Sequence, residues 1–137
     1  MIDYTLVISI IALIISGFSL LGNKRISSLE KRTEIMAEIG SIEILINKSY
    51  REYNLSQKLK TTLSTELVSS LEDINISLNN VQTSLEEVYV LVGNGNISIF
   101  ELEKVRPNIQ KIMRDAQKIL DNIIEEKNNL YQSLKNI

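Results

Sequence analysis

The chain has no cysteine, no histidine and no tryptophan, and only one proline and five glycines among 137 residues. Without cysteine and histidine, thiol nucleophiles, disulfides, haem and iron–sulfur ligation, the usual zinc sites and imidazole acid–base chemistry all fall away. Most enzyme classes are disfavoured on that ground. Few glycines and one proline leave little for tight turns and sheet corners, and abundant Ile, Leu, Ser, Asn, Glu and Lys suit long helices. A strong charge of either sign is missing too. Fifteen basic residues against 17 acidic ones give a net charge of −2, so no global field recruits nucleic acid.

What is present begins with residues 5–21, TLVISIIALIISGFSLL, a run without a charged side chain. Taken with Tyr4 and Gly22 it makes about 28 Å of helix at 1.5 Å per residue, close to the ~30 Å hydrocarbon thickness of a bilayer. A transmembrane anchor over residues 1–22 is therefore expected. A cleaved secretory signal fits less well, because no Lys or Arg precedes the run and no small-x-small cleavage pattern follows it. The bases Lys24, Arg25, Lys31 and Arg32 all stand on the C-terminal side. By the positive-inside rule they predict a single-pass protein of the cell membrane with its N-terminus outside and its C-terminal domain cytoplasmic. The same four bases are candidates for contact with lipid headgroups. Asn-x-Ser triplets at Asn47, Asn54, Asn75 and Asn96 are read as chance in a chain rich in both residues.

Within the run, Ser9, Ala12, Ser16 and Ser19 recur at spacings of three, four and three, which places four small side chains on one helical face. Such a stripe lets another helix approach closely, so these residues are the candidates for helix packing in the membrane.

Residues 23–137 read as a helical coiled-coil domain. Ile35, Ile39, Ile42, Ile46 and Tyr53, with Ser49 at the skipped position, form a seam of heptad spacing. Asn54 followed by Gln57 has the pattern of an N-cap with its box partner, and a bend is expected there, although the seam phase continues through Ser56, Lys60 and Leu63. The clearest stretch follows: Leu67, Leu71, Ile74, Leu78, Val81, Leu85, Val88 and Val92 alternate spacings of four and three. Residues 93–96, Gly-Asn-Gly-Asn, are a cluster able to take positive φ and predict a turn. Ser98 and Glu101 form a capping box, after which Leu102, Val105, Ile109, Ile112, Ala116, Ile119, Ile123, Leu130, Leu134 and Ile137 share a seam. Pro107 inside that pattern predicts either a kink or a short helix followed by a longer one.

The fold class expected is thus all-α: a single N-terminal transmembrane helix followed by a long-helix coiled-coil hairpin or three-helix bundle. Its helices should cover about 23–53, 57–92 and 98–135. Residues 61–103 carry seven acids and no base, whereas 104–135 carry seven bases against four acids, so the second and third helices are expected to pair across their flanks. If the first segment runs outward and the second returns, the turn at 93–96 is expected near the bilayer, with Glu86 and Glu87 close to Lys24, Arg25, Lys31 and Arg32; in a single long rod the acidic stretch would lie far from the lipid instead.

No phosphate loop, nucleophile elbow, calcium loop or zinc-protease motif occurs. The adjacent acids Glu72 and Asp73, Glu86 and Glu87, and Glu125 and Glu126 point about 100° apart on a helix and are read as solvated faces. No catalytic residue, cofactor or metal site is assigned. The expected function is a non-enzymatic, membrane-tethered coiled-coil scaffold, adaptor or complex subunit. Its partners would be membrane lipid and a protein partner or second copy held through the helical seams, with no nucleic acid and no small-molecule substrate. The alternative is a membrane-active or signalling element, such as a lysis accessory of bacteria or phages, or an oligomerising transducer.

Overall fold

The computed structural model describes the backbone of residues 4–63 and 68–135 and, within these, the side chains of residue 9 and residues 11–61 and 71–135. Three helices pack together, α1 (Tyr4–Leu63), α2 (Val68–Gly93) and α3 (Ile99–Lys135), and there is no strand among the described residues. Cross-helix contacts fix their directions. Lys31 faces Glu103, Glu34 and Glu38 face Arg106, and Glu52 faces Lys127, so numbers on α3 rise with those on α1. These two helices are parallel. Tyr50 meets Asn79 and Gln82 while Arg32 meets Asn94 and Gly95, so numbers on α2 fall as those on α1 rise. The chain runs up, down and up.

The heptad seams are what bind the three helices. Ile35, Ile39, Ile42 and Ile46 from α1, Leu71, Leu78 and Val92 from α2, and Leu102, Ile109 and Ile123 from α3 are all within a few per cent of full burial in one continuous core. Burying such a side chain is worth roughly 1.5–3 kcal/mol relative to leaving it exposed. Two seam positions are polar. Ser49 and Ser56 are fully buried, and each hydroxyl donates to the carbonyl four residues back, on Leu45 at 2.8 Å and Glu52 at 3.0 Å. Neither leaves an unpaired group in the core.

Several expectations are corrected. Among the described residues no helix is long and apolar enough to cross a membrane. Of the anticipated span at 5–21, the described side chains from 11 onward make about 17 Å of apolar helix, little over half the ~30 Å hydrocarbon layer. The helix then carries on without a break into Lys24, Arg25 and Glu30. Side chains of residues 5–8 and Ile10 lie outside the described residues. The single-pass placement, with its N-terminus outside and its C-terminal domain cytoplasmic, is overturned by that finding.

The bend near Asn54 is absent as well: α1 is one helix of 60 residues, about 90 Å long. Asn54 is exposed on its outer face, and Gln57 donates to the Tyr53 hydroxyl at 2.7 Å instead of reaching back to a cap. α1 and α2 are separated at residues 64–67, which lie outside the described residues together with the seam position Leu67. Pro107 sits inside a continuous α3, its lost N–H bond offset by the burial of Val105 and Ile109 on either side.

The expected α2–α3 charge pairing is replaced by α1–α3 pairing. All four ion pairs among the described residues join α1 to α3, and the acids Glu72, Asp73, Glu86 and Glu87 of α2 are exposed. Parallel packing at a nearly constant offset puts the bases of α3 beside the acids of α1, whatever the sums over whole segments suggest.

Candidate interaction surface

The end of the bundle where α2 turns into α3 is built from side-chain hydrogen bonds rather than from glycine conformations. Neither Gly93 nor Gly95 adopts positive φ. The Asn94 side chain accepts from the Asn96 N–H at 3.2 Å, an Asx-type turn, and the Asn94 carbonyl accepts from Ile97 at 3.2 Å. Ser98 then caps α3: its hydroxyl accepts from the Glu101 N–H at 3.3 Å, and Glu101 accepts from the Ser98 N–H at 2.9 Å and hydroxyl at 2.7 Å. Those bonds favour the ionised carboxylate and hold the Glu101 pKa below its ordinary value.

Arg32 of α1 clasps this turn from the side. Its Nη2 donates to the carbonyls of Asn94 and Gly95, both at 3.3 Å, satisfying groups left open at the end of α2. Its Nε is buried with no hydrogen-bond partner. Lys31 beside it pairs with Glu103 at 3.7 Å, and Arg106 reaches both Glu34 at 3.0 Å and Glu38 at 3.2 Å. The bond to Glu38, more than that to Glu34, raises the Arg106 pKa further above its usual range. The returning turn therefore arrives beside Lys31 and Arg32, and those two bases are engaged by protein. Lys24 and Arg25 lie farther out and are exposed.

At the other end, Lys127 donates to Glu52 at 2.5 Å between partly buried side chains, and this bond lowers the Glu52 pKa against the opposing effect of its burial. The Tyr50 hydroxyl lies 2.8 Å from both the Asn79 and the Gln82 side chains. Both contacts are to amide oxygens, Asn79 Oδ1 and Gln82 Oε1, so the single phenol proton is shared between two acceptors. Burial, and then the charge of Glu86, raise the Tyr50 pKa.

Below Arg32 the first half of α1 leaves the bundle and projects for about 40 Å. Its large apolar side chains stay open: Ile11 and Ile14 are 51% exposed, Phe18 72%, Leu21 67% and Leu29 55%. The four small residues Ser9, Ala12, Ser16 and Ser19 share one exposed face, as their spacing requires. A different face continues the core. Counting back from the buried Ile35 in alternate steps of three and four gives Arg32, Ser28, Arg25, Leu21, Phe18, Ile14 and Ile11, so the seam of the bundle runs in phase into the projection. At 100° per residue this seam and the small-residue stripe stand on opposite sides of the helix. The seam residues Ile11, Ile14, Phe18 and Leu21 were not singled out by the hydropathy of the run; the signal that finds them is phase, traced backward from Ile35.

A groove of about 610 Å³ between α1 and α2 is lined by Glu43, Asn47, Gln82, Glu86 and Tyr89 over an apolar floor of Ile46 and Leu85. Among the described residues no three acidic side chains come together to hold a metal ion. No known protein family, curated protein or solved structure matches the chain.

Proposed function

We propose that the protein is a non-enzymatic helical scaffold or adaptor, in which a self-sufficient three-helix bundle carries an apolar half-helix that serves as the association element. One observation carries this reading: a single heptad seam is covered by α2 and α3 above Arg32 and open below it. Contiguous apolar surface of this extent marks an interaction site on a folded protein. The bundle supplies rigidity, since long packed helices with ion pairs at near-constant offset hold α1 straight at the point where it emerges. The composition agrees, for a chain without cysteine or histidine lacks the side chains that most catalytic sites use.

A photocrosslinking amino acid at position 18, compared with one at the exposed Tyr131 of α3, tests the reading in cells. Discrete protein adducts from position 18 and none from position 131 are expected. Equal labelling from both positions, or none from position 18, would refute it.

A further inference from the structure

The turn that Arg32 clasps also brings together the parts of an intramolecular reaction. Asn94 is the one asparagine of the chain that precedes a glycine, and both residues are exposed. Asparagine is thermolabile because the backbone nitrogen of the next residue can attack its side-chain carbonyl carbon, and glycine, without a Cβ, leaves that approach unhindered. Space around Gly95 is open, and none of the hydrogen bonds of the turn uses the Gly95 N–H. The geometry points to Asn94 and Gly95 as a self-modification site, at which the clasp of Arg32 promotes loss of the Asn94 side-chain amide. This chemistry does not depend on what the apolar half of α1 binds.

The hydrogen bonds of the turn act on both reacting groups. The Asn94 main-chain carbonyl and the Gly95 N–H belong to one peptide unit, so removing that proton spreads negative charge onto the Asn94 oxygen by amide resonance. Two donors already point at this oxygen, Arg32 Nη2 at 3.3 Å and the Ile97 N–H at 3.2 Å, and the anion forms beside a fixed positive charge. The electrophile is prepared through the next peptide. Arg32 Nη2 also donates to the Gly95 carbonyl at 3.3 Å, and the N–H of that same peptide, on Asn96, donates to Asn94 Oδ1 at 3.2 Å. Polarisation along this series draws electrons from the side-chain carbonyl carbon. The Asx turn folds that carbon over the Gly95 peptide, which makes the attack a proximity-assisted ring closure. Asn96 is not so placed, since the Ile97 nitrogen that would attack it is held by its bond to the Asn94 carbonyl.

The step balances with water and hydroxide alone. Hydroxide takes the Gly95 N–H proton, the Gly95 nitrogen bonds to the Asn94 side-chain carbonyl carbon, and the carbon–nitrogen bond of the carboxamide breaks. Its nitrogen leaves as ammonia with a proton from water. Water then opens the cyclic imide at the side-chain carbonyl to give aspartate, or at the former main-chain carbonyl to give a β-linked isoaspartate. In the isoaspartate the new carboxylate contains the very oxygen that Arg32 contacts. Either product makes the net charge of −2 one unit more negative.

To test this, the full-length protein is incubated in mildly alkaline buffer, folded and in guanidinium chloride, and conversion at each asparagine is followed by peptide mass spectrometry. The natural chain is compared with Arg32→Gln, Arg32→Lys and Gly95→Ala, with circular dichroism to show that each keeps its helices. Asn94 is expected to convert ahead of every other asparagine, and faster in the folded chain than in the denatured one. Arg32→Gln should slow the folded reaction about tenfold, a modest loss for a donor to a developing anion because water reaches the site, and Arg32→Lys should retain most of the rate. In guanidinium chloride both Arg32 variants should match the natural chain, whereas Gly95→Ala should be slower folded and denatured alike. Equal folded rates for the natural chain and Arg32→Gln, or slower conversion in the folded chain than in denaturant, would overturn promotion by the clasp. An Asn94 that stays intact while other asparagines convert would overturn the site itself. Should Arg32→Gln lose its helices, the ratio of folded to denatured rates in the natural chain decides alone.

Discussion

The two halves of α1 carry the same heptad phase and meet opposite fates. From Ile35 to Ser56 the seam is closed by α2 and α3; from Ile11 to Leu21 the same phase, filled with equally large side chains, stands open. The difference begins at Arg25, Ser28 and Arg32, three polar seam positions in succession, where a long side chain clasps the turn of the α2–α3 hairpin instead of packing into a core. A seam is therefore a capacity to be buried, and the length of the returning hairpin decides how much of that capacity is used within one chain. What remains beyond the turn stays exposed.

The sharpest way to break this comparison is to truncate one large side chain in each half. Ile109→Ala, which empties a fully buried position in the bundle, is expected to cost about 2–5 kcal/mol in urea-induced unfolding. Phe18→Ala removes more carbon from the open half, yet should leave unfolding of the bundle within about 0.5 kcal/mol. Comparable losses from the two would mean that the projection is part of the folding unit.

Smaller effects sharpen the covered half alone. Gly40 lies mid-helix in α1 with open space around an added Cβ, so Gly40→Ala should raise stability by up to ~1 kcal/mol, read as a higher thermal midpoint. The Glu52–Lys127 bond should be worth about 0.5–1 kcal/mol after allowance for solvent, measured by a double-mutant cycle with Glu52→Gln and Lys127→Met. Its pH dependence has a definite sign. The folded state holds Glu52 below its ordinary value of 4.5, so the contribution is fully present above that value and lost as pH falls through the lowered one. Glu52→Gln should flatten that part of the acid-unfolding curve, and an unchanged acid limb would show that the bond adds nothing.

Much of the bundle was legible in the sequence because burial repeats. All seven described α2 positions in the three-four series from Leu71 to Val92 are buried, and so are the α3 positions from Leu102 to Ile123. Local capping signals carried less information. Ser98 and Glu101 form their box where a helix begins, whereas Asn54 and Gln57 show a similar pattern on an exposed face of an unbroken helix. Charge sums over segments misassigned the ion pairs, since they ignore direction: only a parallel α1 and α3 bring Arg106 to Glu34 and Glu38. Hydropathy singled out residues 5–21 as a span, and within them the spacing of small side chains singled out Ser9, Ala12, Ser16 and Ser19. It could not show that the seam continuing from the core lies on the other side of the helix. Nor does composition separate four nearby bases into Lys31 and Arg32, drawn into the bundle, and Lys24 and Arg25, left exposed.

The most direct test compares the two halves in one experiment: photocrosslinking from position 18 of the full chain and of its Ile14→Lys variant, each paired with a thermal unfolding curve. Discrete adducts from the natural chain, with a variant that loses them and unfolds at the same midpoint, are the expected result. A variant that keeps its adducts, or one whose bundle melts early, would contradict the division of one seam into a folding half and an association half.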